Sequence, residues 1–494
     1  MTHSFLPRLS ALALALTLAG CSLAPKYERP ALPIQAEFPS YSKAAVSDSQ
    51  DDFEQLGLQE FFKDPQLQAL IALALDHNRD LRIAVDRVEE ARAQFGITRA
   101  DQFPSIGAGA NGQVTRYPEN MRTQGPDSPS VSKSFQLGVG LTSFELDFFG
   151  RLRNLSEAAF QQYLSTEQAQ RAVRINVVAQ VAEAYFKLRS AQELQRLMVN
   201  TEKSRAETFR LVQRSFDVGT TSELDLNQAR LQLETVRADR EQARRNELRA
   251  ENALTLLIGT ELPADLPQAA TFGPTQLVQQ IPTGLASELL ERRPDIIAAE
   301  HALKAAKANI GAARAAFFPR ISLTGLLGFA SPSLSSLVGS SHRFWQYSPE
   351  ITMPIFTGGS VRSALAVAEA RDNIAVAQYE QSIQNAFAEV ADALAGEATY
   401  AEQLQAVAKM IKSAQRSTDL ATLRYETGID SFLQVQTAEV NLYSAQQVGI
   451  QVGLESLLNR IELYKALGGG WGIDPLVSDQ NNSSTQERLN PATE

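Results

Sequence analysis

Apolar residues at three- and four-residue spacing run through two stretches of unusual length, about 152–217 and 361–427, the first free of internal proline and glycine. Such spacing predicts amphipathic helix. At about 1.5 Å per residue each stretch would extend roughly 100 Å, further than a globular core requires, and pattern of that length points to coiled-coil or tubular packing. Val177, Val178, Val181, Tyr185 and Leu188 supply a seam on a surface otherwise filled by Gln, Arg, Glu and Ala. A glycine turn and a shorter return helix, about 223–258 or 432–467, follow each stretch. A second period, of two, marks four segments: about 104–117, 133–147, 320–330 and 343–356. There Phe135, Leu137, Val139 and Leu141 oppose Ser134, Gln136 and Thr142, while Ile321, Leu323, Leu327 and Phe329 oppose Ser322 and Thr324. Trp345, Tyr347, Ile351 and Met353 share a face. Alternation of this kind predicts strands with one apolar side.

The same order of elements occurs twice. A helical stretch over 65–102 or 285–317 stops before Phe-Pro, because the residue preceding proline is pushed out of the helical region. Two strands joined by a Pro-, Ser- and Gly-rich loop follow, then the long helix, the turn and the return helix, closed by Gly259 or Gly468. Asp80, Gly96 and Pro104 recur 215 residues later as Asp295, Gly311 and Pro319, and Gly219 recurs 209 later as Gly428. The turn "FDVGTTSELDL" at 216–226 is echoed by "YETGIDSFLQV" at 425–435. The chain therefore reads as an internal duplication, with repeat 1 over 61–259 and repeat 2 over 285–468. An N-terminal segment (21–60), a linker with four prolines (260–284) and a tail (469–494) complete it, the tail polar from Asp479 in the manner of disordered chain. A return helix and a first helix stacked end to end match one long helix in length. Their junction would fall at mid-height, where linker, N-terminal segment and Gly-rich end would form a mixed equatorial belt.

Composition narrows the chemistry. The 494 residues are 44% apolar and 21% charged, enough for a large buried surface. A net charge of −10 without a basic cluster argues against nucleic acid as a partner. Four scattered histidines and one cysteine exclude zinc sites, disulfide frameworks and Cys–His dyads. No catalytic set, metal site or cofactor is expected, and an envelope hydrolase is disfavoured. Five dispersed methionines argue against a methionine relay for copper or silver.

The first twenty residues combine Arg8, the apolar run "LSALALALTL" and a small-residue end, "LAGC". That is the form of a signal peptide, and the run is too short to span a bilayer. An ordinary signal peptide beside a free thiol is one reading. The lone cysteine directly after Leu-Ala-Gly resembles a bacterial lipobox, in which Cys21 would be acylated and become the mature N-terminus. Ser22, not aspartate, follows it, which in such lipoproteins implies sorting to the outer membrane.

Four strands of this length suit a transmembrane barrel, but four cannot close one, and open edges cannot be left in lipid. Sharing among three chains would give twelve strands and a matching helical tube; a soluble hairpin domain is the competing reading. With "LAGCSLAPKYERP", "FFKDPQLQALIALALDHNRDL", the Phe-Pro junctions at Pro104 and Pro319, "FELDFFGRLRN", "MPIFTGGSVRS" and the two glycine turns, the chain resembles the TolC/OprM-type outer-membrane efflux factor family, on its lipoprotein branch. The resemblance implies an α+β membrane protein: a homotrimer with a 12-stranded β-barrel, four strands per chain, continuous with a periplasmic helical barrel and an equatorial belt. It also implies a periplasmic adaptor and an inner-membrane RND-type pump as partners, outer-membrane lipid around the barrel, and passive export of drugs or small organic compounds without bond chemistry. The turns, with Gly219, Thr220, Ser222, Gly428 and Ser431, would form the periplasmic tip that meets the adaptor. Asp225, Asp430 and Glu223 would be its gating carboxylates, with Gln434 and Thr437 standing where some relatives carry acids. Helix capping competes with gating, since Ser222 with Asp225, and Ser431 with Gln434, have the form of a capping box. Asp430, lying before its serine, is the freer acid. Arg214 and Arg424, one turn before the glycines, read first as charges favoured at a helix C-terminus, with pairing to carbonyls or nearby acids as the other reading. A type I polypeptide secretion channel and a coiled-coil adaptor lipoprotein are the alternatives; the adaptor would carry its long hairpin once, not twice.

Overall fold

The computed structural model describes residues 22–34, 58–121, 129–273, 276–277 and 293–469. The signal segment, Cys21, most of the remaining N-terminal segment, part of the linker, the first eight residues of the helix expected from 285 and nearly all of the tail lie outside these residues. In chain order the elements are α1 (Leu58–Phe61), α2 (Pro65–His77), α3 (Arg79–Ala100), β1 (Ile106–Arg116), β2 (Val131–Glu145), α4 (Arg151–Asp217) and α5 (Glu223–Ile258). The second half repeats the order with α6 (Pro294–Ala315), β3 (Arg320–Ser331), β4 (Arg343–Thr352), α7 (Ser360–Glu426) and α8 (Phe432–Ala466). Both long helices, α4 and α7, have 67 residues. Among the described residues no helix is long and apolar enough to cross a membrane.

The chain divides into two compact units, and each draws on both halves of the sequence. One comprises 1–31, 87–167 and 298–380; the other comprises 32–86, 168–297 and 381–494.

The first unit holds one antiparallel sheet in the order β1-β2-β3-β4. Its register lines Ala108, Val139, Leu327 and Trp345 in one row and Ile106, Leu141, Gly325 and Tyr347 in another. Rows two apart share a face, so these apolar residues cover one side, where Leu327 is 68% and Trp345 76% exposed. The row between them on the opposite side is Gly107, Gly140, Leu326 and Gln346, and the next is Gly109, Gly138, Gly328 and Phe344. A side chain at Gly328 would run into the Leu137 carbonyl of the neighbouring strand; glycine lets the strands close there. Three residues of β2, from Leu141 to Phe144, span the two-residue step from Gly325 to Leu323. This bulge, with Ser143 at φ 45°, returns Phe144 to the apolar side after an odd slip. β4 ends at Thr352, short of the expected 356, two residues before Pro354, which has no amide to donate to a ladder.

The second unit is organised around a large apolar cluster. Phe61, Leu67 and Ile71 from α1 and α2, with Phe62 between them, meet Val181, Tyr185 and Phe186 of α4, Ile258 of α5, Leu394 of α7 and Ile461 and Tyr464 of α8. Phe61 stacks on Tyr464 with ring centroids 4.5 Å apart. Buried Asp64 caps α2 by accepting from the Gln66 amide at 2.9 Å, and takes the Tyr185 hydroxyl at 2.5 Å. Arg293 donates to Asp295, Glu389 and the Ala466 carbonyl at 2.7–2.8 Å.

The uninterrupted helix expected over 65–102 is two helices. Asn78, at φ −61° and ψ 131°, breaks it. Its side-chain oxygen accepts from the Leu81 amide at 2.9 Å, and its amide donates to the Leu257 carbonyl at 2.7 Å. Asparagine thus replaces a helical hydrogen bond with one local and one tertiary bond. The break packs on Gly259, where a Cβ would lie 2.6 Å from the His77 carbonyl.

Candidate functional site

The two glycine turns lie in the second unit, and both end a long helix with the same hydrogen bonds. Gly219 (φ 77°) donates to the Phe216 carbonyl at 2.9 Å, and Thr220 donates to Ser215 at 2.9 Å. Gly428 (φ 73°) donates to Tyr425 at 2.9 Å, and Ile429 donates to Arg424 at 2.8 Å. Each is a Schellman motif, which needs the left-handed conformation that glycine adopts without a steric penalty.

Beyond the glycines the copies diverge. Ser222 and Asp225 form a complete capping box at the start of α5. The Asp225 carboxylate accepts from the Ser222 hydroxyl at 2.7 Å and the Thr221 hydroxyl at 3.1 Å, while the Asp225 amide donates to Ser222 Oγ at 3.2 Å. At the start of α8 the expected box is absent: the Ser431 side chain makes no cap hydrogen bond. Asp430 is held instead by Arg424, whose Nε and Nη2 lie 2.5 and 3.2 Å from its two oxygens. The Gln434 backbone amide donates to the Ser431 carbonyl instead, at 3.1 Å. Arg424 thus pairs with an acid, the lesser of its two readings from the sequence, and its hydrogen bond holds the Asp430 carboxyl below the usual carboxylate range.

The turns are packed together. Val212, Leu226, Ala229, Phe432 and Val435 form a buried cluster with Phe209, Ala421 and Tyr425 against it. The Tyr425 and Phe432 rings are 5.5 Å apart. Burial, and then the Asp225 charge, push the Tyr425 phenol up. Tyr425 was visible in the sequence only as the aromatic of the repeated turn; its nearness to Asp225 on the other turn was not. Gly219, Thr220, Ser222, Glu223, Gly428 and Ser431 are all exposed, and Asp225 and Asp430 are half-buried.

Further along the same helices, buried Arg205 of α4 donates to the Gln232 carbonyl of α5 at 3.0 Å and lies over the Tyr443 ring of α8 at 4.9 Å. Tyr443 donates to Asp239 of α5 at 2.9 Å. Burial raises the Glu439 carboxyl beside them, against the Arg205 charge. Three helices are tied here by a polar cluster. Among the described residues no group of His, Cys, Asp and Glu could hold a metal ion.

The chain combines a sheet with one exposed apolar face and two helices of 67 residues that each end in an acid-bearing turn, features in keeping with an outer-membrane channel. The family model described as outer membrane efflux protein matches residues 70–260 and again 285–469. The probable efflux pump outer membrane protein TtgC of Pseudomonas putida is 44% identical over 94% of this chain and 96% of its own. The cation efflux system protein CusC of Escherichia coli O157:H7 is 42% identical over 92% and 97%. The open-state crystal structure of the MtrE outer membrane channel of Neisseria gonorrhoeae superposes with a TM-score of 0.83 at 37% identity, covering 92% of this chain and 99% of that one. The chain belongs to the outer membrane efflux protein family and resides in the outer membrane.

Proposed function

We propose that three copies of this chain form the exit duct of a tripartite efflux pump. The observation that carries this reading is the four-stranded sheet: β1 and β4 are its outer strands, one face is apolar and exposed, and unpaired edges are not tolerated in lipid. Three copies joined edge to edge give twelve strands, an even number within the range of bacterial barrels. The equal long helices and the twofold family match support an internal duplication, so that the trimer has six-fold pseudo-symmetry in its helical tube. Conduction is passive, with no catalytic residues and no cofactor.

The turns are the gate. Each carries an acid, so a trimer gathers three copies of Asp225 and three of Asp430, with Glu223 beside them. Asp225 is engaged by its own cap and Asp430 by Arg424, so the ring is partly neutralised while the turns are packed. Opening separates the Tyr425–Phe432 cluster and is confined to the helix segments between the turns and the Arg205 cluster. A periplasmic adaptor engages Gly219, Thr220, Ser222, Gly428 and Ser431 and delivers cargo from an inner-membrane RND-type pump. Cys21 carries the lipid anchor.

Cargo is a drug or small organic compound on this reading. Relatives named for toluene efflux and for cation efflux are 44% and 42% identical to the chain, so overall identity does not separate cargo classes. A coiled-coil adaptor would not repeat its long helix with strands in each copy. The test is reconstitution. Purified protein in planar bilayers is expected to give discrete cation-preferring channels whose conductance rises when Asp225 and Arg424 are both replaced by alanine; bilayers that stay silent with wild type and variant alike refute the duct.

A further inference from the structure

Residues 22–31 belong to the first unit, together with α6 from Ala298 onward and the start of α4. At one end of this strap the Ser22 hydroxyl donates to Asn154 Oδ1 at 2.8 Å, and Arg314 Nη1 donates to the Leu23 carbonyl at 3.3 Å. Ala24 lies so close to Gly311 that a Cβ there would come within 2.8 Å of it. At the other end the Tyr27 hydroxyl and Arg29 Nη2 donate to the two oxygens of Glu300 at 2.9 and 2.8 Å. Lys304 completes the group, 2.9 Å from Glu300 Oε1 and 5.0 Å from the Tyr27 ring centroid. From Glu300 to Arg314 the α6 axis advances about 21 Å, and extended chain from Arg29 to Leu23 covers about 20 Å. The strap therefore runs antiparallel along α6.

Glu300 is 8% exposed. A buried carboxylate is costly unless it is paired and hydrogen-bonded, and two of its three donors come from the strap. Removing the strap would leave Lys304 as the remaining partner on its own helix. Ser22 is held between Asn154, nine residues after β2 ends, and α6, whose Arg314 lies six residues before β3 begins. The strap thus reaches the helix ends that bear the sheet.

We propose that Glu300 is the catch of an N-terminal strap, closed by Tyr27 and Arg29, that fixes the start of the mature chain to the sheet-bearing unit. Its purpose rests on the reading of Cys21 as the lipid anchor: a closed strap places the tether beside the strands that enter the membrane, and an open one leaves it on free chain.

Trypsin reports the strap. Lys26–Tyr27 is the cleavable bond within it, since Arg29 precedes Pro30. Full-length protein in proteoliposomes is digested, and release of the segment ending at Lys26 is followed by mass spectrometry. Wild type is expected to be cut slowly. Glu300→Ala is expected to speed cleavage about tenfold or more, the ratio set by losing one charged hydrogen bond, with the trimer band retained. Arg29→Ala and Tyr27→Phe, which leave α6 untouched, should speed it as well and decide the matter if Glu300→Ala does not fold. Unchanged cleavage in the two strap variants overturns the catch. Palmitate labelling of wild type separates the two readings: an unlabelled chain overturns the anchor and leaves the cleavage result standing.

Discussion

Arg424 and Asp430 close a salt bridge across the Gly428 turn, with Nε 2.5 Å from Oδ2, and the Gly219 turn has no counterpart because Thr221 stands in place of the acid. Arg424→Ala should therefore expose a carboxylate at one turn of each chain, whereas Asp430→Asn should remove one. Single-channel recordings are expected to show stronger cation preference for Arg424→Ala and weaker preference for Asp430→Asn, relative to wild type. Equal selectivity in all three would mean that this acid does not face the conduction path.

The two turns should also differ in stability. Ser222 caps α5 and Ser431 makes no cap bond to α8. Ser222→Ala is expected to cost about 1 kcal/mol locally, a roughly fivefold rise in amide exchange over 223–226. Ser431→Ala should leave exchange over 432–435 unchanged. Similar rises at both turns would show that the second serine caps in solution.

Glycine in the sheet offers a matched pair. A Cβ at Gly328 meets the neighbouring backbone, whereas one at Gly109 meets nothing within 4 Å. Gly328→Ala should cost about 1–3 kcal/mol of overpacking and lower the yield of heat-modifiable trimer in the outer membrane; Gly109→Ala should assemble like wild type.

The strap has a predicted pH response. Burial raises the Glu300 carboxyl, but hydrogen bonds from Lys304, Arg29 and Tyr27 outweigh it and leave it below its ordinary value of 4.5. Its stabilising contribution is complete above that value and is lost as pH falls through the lower folded-state value. Amide exchange over 23–30, corrected for intrinsic rates, should rise in that acid window in wild type and be already high, with no such step, in Glu300→Ala.

Legibility in the sequence followed the range of the interactions. The 67-residue helices, the Phe-Pro strand starts and the Schellman glycines rest on local pattern, and the sequence carried them closely. Asn78 escaped because apolar spacing continues through it, and only the Leu257 carbonyl, 179 residues away, shows why the helix breaks there. The bulge at Ser143 escaped because a period of two does not reveal a slip of one residue. Ser431 has the local form of a cap, yet its neighbour Asp430 is committed to Arg424. Glu300 and its strap join residues more than 270 positions apart, beyond any spacing argument.

On the proposed reading, two further chains close the open edges of the sheet. Cysteine pairs scanned along β1 and β4, with the parent protein carrying Cys21 alone as the control, measure this in the native outer membrane. Disulfides between chains that end in a closed species of three are the expected result. Cross-links confined within one chain, or a ladder that passes three without closing, would contradict it.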